Sequence, residues 1–132
     1  MEPVMLRSSA IPLATSSIVE TAEFYTSHLR FSILGYNYDE SGKYMWVALE
    51  RDMVLLNFYR LHAGAKIQPL RSIAHGVSGE VVPDVAINVE SLALMRRELV
   101  SARIVPIEET DNEIMKRIVI EDNNGYAIAF FE

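Results

Sequence analysis

The sequence predicts an α+β fold in which one unit, strand–helix–strand–strand–strand, occurs twice along 132 residues. Two amphipathic helix patterns each follow a short apolar strand pattern and precede three more strand patterns. A segment rich in glycine and proline separates the two copies. We therefore expect a single domain, residues 1–132, with βαβββ modules 10–59 and 84–132 and a linker 60–83. The two modules would form a curved mixed sheet around a shared cavity.

The first module opens with AIPLAT, which has the composition of a strand. Ser17 followed by Glu20 forms a capping box, which marks the start of a helix. One apolar stripe then recurs at helical spacing, at Ile18, Ala22, Tyr25 and Leu29. The segments FSILGYNY, KYMWVALE and MVLLNFY follow as strands, separated by the turns DESG and RD.

The second module repeats this order. DVAINV is a predicted strand and SLALMRRELVSA a predicted helix, and IVPIEE, MKRIVIE and YAIAFFE are predicted strands. The turns TDNE and DNNG separate these strands. Aligning Ser17 with Ser91 places Ala10 opposite Asp84 and Leu55 opposite Ala129.

The linker, RLHAGAKIQPLRSIAHGVSGEVVP, is long for a connection inside one domain. Two interpretations remain open: a solvated crossover, or a lid over a pocket.

Composition excludes several classes of function. No cysteine is present, which rules out a disulfide scaffold and a thiolate metal site. The formal net charge of -6 disfavours nucleic-acid binding, which requires clustered positive charge. No apolar run has the length of a membrane span, and the first residues lack the pattern of a secretory signal. We therefore expect a cytoplasmic protein with neither a nucleic-acid nor a membrane partner.

Two motifs carry a resemblance to a known family. EFYTSHLRF matches a helix containing Phe-Tyr followed by Leu-Gly-Phe, with Arg30 in place of the glycine. IEDNNGYAI matches Asp-Pro-Asp-Gly-Asn before a last strand, with Asn123 in place of the proline. In these motifs and in the order of its elements the chain resembles the vicinal oxygen chelate superfamily. That superfamily includes glyoxalase I, extradiol dioxygenases, fosfomycin-resistance thiol transferases and bleomycin-resistance proteins.

The resemblance implies a divalent metal held by His, Glu or Gln on the first and last strands of each module. The matching positions here are Ala10, Leu55, Asp84 and Ala129, of which only Asp84 can donate to a metal. We therefore expect no metal, no cofactor and no catalytic residue. An enzyme would need an unusual site that combines Asp84 with His62 or His75, and with Glu50 or Glu121. Asp84 could equally have a structural role at the start of its strand.

The resemblance and strand alternation together imply an apolar, aromatic cleft with a few polar groups. Its predicted ligand-binding residues are Tyr44, Trp46, Leu55, Asn57, Asp84, Asn88 and Phe131. If the third strand has the opposite parity, Met45 and Val47 replace Tyr44 and Trp46. A fully packed core without a cleft is a further alternative.

Three functions follow from this cleft. The first is a metal-free binder of a small planar aromatic or cationic molecule, as in the bleomycin-resistance branch. The second is a metal-dependent lyase, thiol transferase or dioxygenase. The third is a structural or regulatory dimer without a ligand. The resemblance implies a homodimer in all three.

Overall fold

The computed structural model describes residues 2–132, and both modules contain the predicted elements. The first module consists of β1 (Ile11–Thr15), α1 (Ile18–His28), β2 (Ser32–Tyr38), β3 (Tyr44–Arg51) and β4 (Val54–Arg60). The second consists of β5 (Val85–Asn88), α2 (Leu92–Ser101), β6 (Glu108–Asp111), β7 (Lys116–Glu121) and β8 (Ala127–Phe131). One 3-10 turn, Leu70–Ser72, lies in the linker.

Each module forms its own four-stranded mixed sheet. The strand orders are β1-β4-β3-β2 and β5-β8-β7-β6. In each sheet the first and last strands of the module pair in parallel, and the other pairs are antiparallel. The predicted α+β fold with two βαβββ modules is therefore confirmed.

Both helices begin at the predicted serine. Ser17 Oγ accepts a hydrogen bond from the Glu20 amide at 3.2 Å, and Ser91 Oγ accepts one from the Leu94 amide at 3.2 Å. After α1, Arg30 has a φ of 58°, in the left-handed region that glycine adopts most easily. The chain thus keeps the backbone turn of the Leu-Gly-Phe pattern without its glycine. Neither helix within residues 2–132 has the length and apolarity that crossing a membrane requires.

One hydrophobic core spans both modules. It is formed by the helices and by the sheet faces that the helices cover, and its fully buried side chains include Tyr25, Leu49, Leu56, Phe58, Leu99, Ile118, Ile120 and Ile128. Since every sheet has two faces, the helix-free face of each sheet points away from this core.

Two polar contacts join the modules at the edge of the core. The Tyr25 hydroxyl donates to Asp122 Oδ2 at 2.6 Å, and burial raises the pKa of both groups. Arg51 donates to both carboxylate oxygens of Glu98 at 2.9 and 2.8 Å, and these bonds lower the pKa of Glu98. Each helix is therefore tied to the last turn of the other module.

The second strand of the second module, β6, lies later than the sequence predicts. The prediction places it at IVPIEE, 104–109, and places a turn at 110–113, whereas β6 is Glu108–Asp111. Pro106 has no amide hydrogen, so it cannot donate to a strand ladder. Thr110 instead pairs with Arg117, and Asp111 pairs with the oppositely charged Lys116 across the strands.

Candidate ligand-binding face

The strand registers show which positions of the two modules are equivalent. Ile11 pairs with Leu56, and Val85 pairs with Ile128. The first strands therefore align as predicted, with Ala10 equivalent to Asp84. The alignment of the last strands is wrong by two residues, because the counterpart of Ala129 is Asn57 and not Leu55.

One row of residues crosses the middle of the helix-free face of the first sheet. Across the sheet, Pro12 pairs with Asn57, Asn57 with Ala48, and Ala48 with Gly35. These side chains are small. The six-membered ring of Trp46 lies above Gly35, where an added Cβ would be 3.5 Å from the ring. The indole thus stands beside this row and above Gly35, and Ala48 in the row is only 3% exposed.

Asn57, in this row, carries an unpaired polar atom. Its Oδ1 is buried and has no hydrogen-bond partner among residues 2–132. A buried carbonyl without a donor costs roughly 1–3 kcal/mol, so its presence calls for an explanation. A bound donor group, N–H or O–H, would provide one.

The structure groups only some of the seven predicted residues. Trp46, Leu55 and Asn57 share the helix-free face of the first sheet, because Val47, Leu49, Leu56 and Phe58 occupy the core face. A register shift between Asn37 and Tyr38 interrupts the alternation before Tyr44. The Tyr44 ring instead contacts Tyr36 and Tyr38, with ring centroids 5.5 and 6.2 Å apart.

The other three predicted residues lie on the second sheet, whose helix-free face is largely covered. Asn88 is exposed and Phe131 half-buried. Asp84 Oδ1 accepts from the Leu70 amide and Oδ2 from the Ala127 amide, both at 2.8 Å. Its carboxylate therefore fastens the linker to β8, which is the structural role that the sequence left open.

The linker covers the position of Ala129. Val81 packs against Val119, Ala127 and Ala129, and Ala129 is 2% exposed. The Val81 amide donates to Glu108 Oε2 at 2.8 Å, and its carbonyl accepts from Arg117 at 2.7 Å. The end of the linker therefore packs on the second sheet and is held there by Glu108 and Arg117. The sequence analysis missed Glu108 and Arg117, and their opposite charges on neighbouring strand patterns were the available signal.

The residues considered for a metal site lie apart. His62 and His75 are exposed, and Glu121 is paired with Arg71 at 2.9 Å. Within residues 2–132, no three His, Asp or Glu side chains are grouped so that they could hold a metal ion. Asn57, at the position equivalent to Ala129, offers one carboxamide oxygen.

A groove of about 740 Å³ lies between the modules on the core side. Of the seven predicted residues it contains Asn88 alone. The shared cavity around both helix-free faces therefore stays a prediction, since these faces lie outside the common core of a single chain.

Comparison with solved structures identifies the fold. TnmS3, an antibiotic binding protein from Streptomyces sp. CB03234, superposes with a TM-score of 0.67 at 11% identity, covering 98% of both chains. The chain has the glyoxalase/bleomycin-resistance fold. A glyoxylase/bleomycin resistance protein/dioxygenase domain from Frankia sp. EAN1pec gives a TM-score of 0.69 at 13% identity, covering 97% of this chain and 92% of that one.

TioX from Micromonospora sp. ML1 gives the same TM-score, 0.69, at 13% identity, covering 94% of this chain and 96% of that one. No protein-family model and no curated protein matches the sequence. Agreement of fold at such low identity confirms the resemblance as one of architecture. Any argument about function must therefore rest on the residues of the helix-free face of the first sheet.

Proposed function

We propose that the chain binds a small planar aromatic molecule, one that carries a cationic or other N–H donor, on the helix-free face of the first sheet, without a metal. The unpaired Asn57 Oδ1 is the observation that carries this proposal. It lies on the same face as the indole of Trp46, in a row of small side chains. A planar ligand would stack on the indole while the Asn57 carboxamide, whose oxygen is buried in the free chain, rotates to accept from the donor group of the ligand.

The solved structures support this proposal at a general level. TnmS3 is described as an antibiotic binding protein and has the same fold. The net charge of -6 would attract a cationic ligand weakly at long range. Pockets for small molecules are mostly apolar with a few polar groups, and the Trp46–Asn57 face has that character.

A second copy of the chain would complete the site. The face is open on one side, where Tyr59 pairs with Trp46 and is 48% exposed. A cluster of three tyrosines, 38–61% exposed, lies at the adjoining end of β2 and β3: Tyr36, Tyr38 and Tyr44. Exposed clusters of aromatic side chains are typical of protein interfaces. We therefore propose a homodimer, in which the partner forms the opposite wall of the cleft.

The experiment is a fluorescence titration with 9-aminoacridine, a planar cation. Trp46 is the single tryptophan, so quenching reports on this face directly. We expect saturable quenching that weakens roughly three- to tenfold in Asn57→Leu, which keeps the volume and removes the acceptor. Gln68→Leu, an exposed change in the linker, is the matched control. Quenching that does not saturate, or that is the same in Asn57→Leu, would refute the proposal.

The alternatives have separate signatures. Stoichiometric metal in the purified protein, lost in Asp84→Asn but kept in Asn57→Leu, would favour the metal-dependent enzyme. A stable dimer in sedimentation equilibrium that gives no saturable quenching would favour the structural or regulatory dimer.

A further inference from the structure

The two modules make equivalent contacts with each other, but a tyrosine occupies only one of the two positions. Tyr126, just before β8, reaches the edge of the first sheet. Its hydroxyl accepts from the Ala14 amide at 3.1 Å and donates to the Ala14 carbonyl at 2.7 Å. The aromatic ring is 6% exposed and belongs to the common core. One side of the interface is therefore closed by a phenol group.

On the other side that phenol is missing. By the strand registers, the residue equivalent to Tyr126 is Val54, and the residue equivalent to Ala14 is Asn88. Valine is too short to reach across the interface and has no hydroxyl. The groove of about 740 Å³ opens at this place, and both Val54 and Asn88 line it.

The edge of β5 offers the same two backbone groups there. β5 is the outer strand of its sheet, and the Val89 amide bonds to the Phe131 carbonyl. Alternate residues of an edge strand direct their amide and carbonyl away from the sheet, so those of Asn88 face the groove. Ala14, the equivalent residue, uses these groups to bind the hydroxyl of Tyr126.

The walls of the groove suit an aromatic ring. Phe31, Ile87, Met95 and Phe130 supply apolar and aromatic surface, and the paired Arg51 and Glu98 form its polar end. A volume of several hundred cubic ångströms is typical of small-molecule sites. The groove is larger than one ring, so it has room for a substituted phenol.

We propose that this groove binds a small phenolic molecule, whose hydroxyl pairs with the Asn88 amide and carbonyl as Tyr126 pairs with Ala14. The site is separate from the Trp46 face and does not depend on the function proposed there. Its ligand class follows from the internal duplication, because the chain itself shows how a phenol is held at the equivalent position.

The test is a ¹⁵N NMR titration of the whole protein with p-cresol, and with toluene as the probe that lacks the hydroxyl. We expect p-cresol to shift the amide resonances of Asn88 and Ile87 saturably, without quenching Trp46. Toluene should bind roughly three- to tenfold more weakly, the factor expected for one or two hydrogen bonds. An unshifted Asn88 amide, or equal affinity for the two probes, would overturn the proposal.

A variant tests the position directly. Val54→Tyr supplies the missing phenol, and we expect it to abolish the p-cresol shifts. Val77→Tyr, at an exposed linker position, should leave them unchanged. If Val54→Tyr does not fold, Leu94→Trp at the rim of the groove replaces it, with the same expected loss. Undiminished p-cresol binding in a folded Val54→Tyr or Leu94→Trp protein would contradict the inference.

Discussion

Tyr25→Phe removes one hydroxyl from the contact that joins α1 to the second module. Tyr25 is fully buried, and its hydroxyl donates to Asp122 Oδ2 at 2.6 Å. The other oxygen, Oδ1, accepts from the Asn124 and Tyr126 amides at 2.8 and 2.9 Å. The substitution therefore leaves the aromatic packing intact and leaves Oδ2 of a buried carboxylate without its donor.

The expected loss of stability follows from this hydrogen-bond geometry. A hydrogen bond to a charged group contributes about 1.5–3 kcal/mol, and the buried Asp122 oxygen has no access to replacement water. We expect the free energy of unfolding to fall by about 2 kcal/mol at pH 7. For a domain of this size the melting temperature should fall by roughly 6–10 °C.

The loss should also depend on pH. Burial raises the pKa of Asp122 in the folded state above its unfolded value, while the bond from Tyr25 lowers it. The folded protein thus binds the Asp122 proton more tightly than the unfolded chain does. Stability therefore falls as the pH rises from the unfolded pKa of Asp122 through its folded pKa. Without the hydroxyl the folded pKa rises further. The difference in free energy of unfolding between the unmutated protein and Tyr25→Phe should therefore be larger at pH 7 than at pH 4.5.

Urea denaturation of both proteins at the two pH values measures these quantities. Tyr38→Phe, at a 61% exposed tyrosine, is the control and should change stability by less than about 0.5 kcal/mol. A loss below that value in Tyr25→Phe, or a deficit that grows toward acid, would refute the reasoning.

Three further substitutions probe other parts of the chain. Asn57→Leu should keep or raise the free energy of unfolding by up to about 1 kcal/mol, because it removes a buried acceptor without a partner, and urea denaturation checks this. Arg117→Met should lower stability by roughly 3 kcal/mol, since it leaves Glu108 without its partner and frees the Val81 carbonyl, and limited proteolysis should cut the linker faster. Gly125→Ala should lower the melting temperature, at a cost of about 1–2 kcal/mol, because Gly125 has a φ of 89°.

Each of these three predictions has an experimental outcome that would contradict it. A clearly destabilised Asn57→Leu protein would mean that the carboxamide has a partner within the fold. An unchanged rate of linker cleavage in Arg117→Met, with Lys66→Met as the exposed control, would mean that the linker is held by other contacts. A neutral Gly125→Ala would mean that the turn can adopt a different backbone conformation.

Local signals in the sequence were sufficient to predict the order of the helices and strands. Ser17 and Ser91 mark both helix starts through a side-chain oxygen that accepts an amide of the first turn. Val47 and Leu49 alternate with Trp46 and Ala48, and the structure places the first pair in the core. These features depend on neighbouring residues, so they can be predicted without knowing how distant segments meet.

The equivalence of the last strands could not be predicted in the same way. From helix start to equivalent strand residue, the first module runs from Ile18 to Leu56 and the second from Leu92 to Ile128, which is two residues shorter. Periodicity within a strand does not reveal where two residues are missing. For this reason the sequence pairs Leu55 with Ala129, whereas the structure pairs Asn57 with it.

The path of the linker also could not be predicted from local sequence patterns. Glycine and proline predict a connection but not the surface on which it lies. The bonds of Val81 to Glu108 and Arg117 join segments 27 and 36 residues apart in the chain. Only the folded structure shows that the linker packs over Ala129 on the second face.

The two helix-free faces differ in the contacts of their equivalent residues, although the two modules share one topology. On the second face, Ala129 is covered by Val81, and the carboxylate of Asp84 is occupied by two backbone amides. On the first face, the equivalent Asn57 keeps an unpaired oxygen next to Trp46. The linker thus covers Ala129 but leaves Asn88 exposed, and the binding site proposed on the first face rests on Asn57 and Trp46.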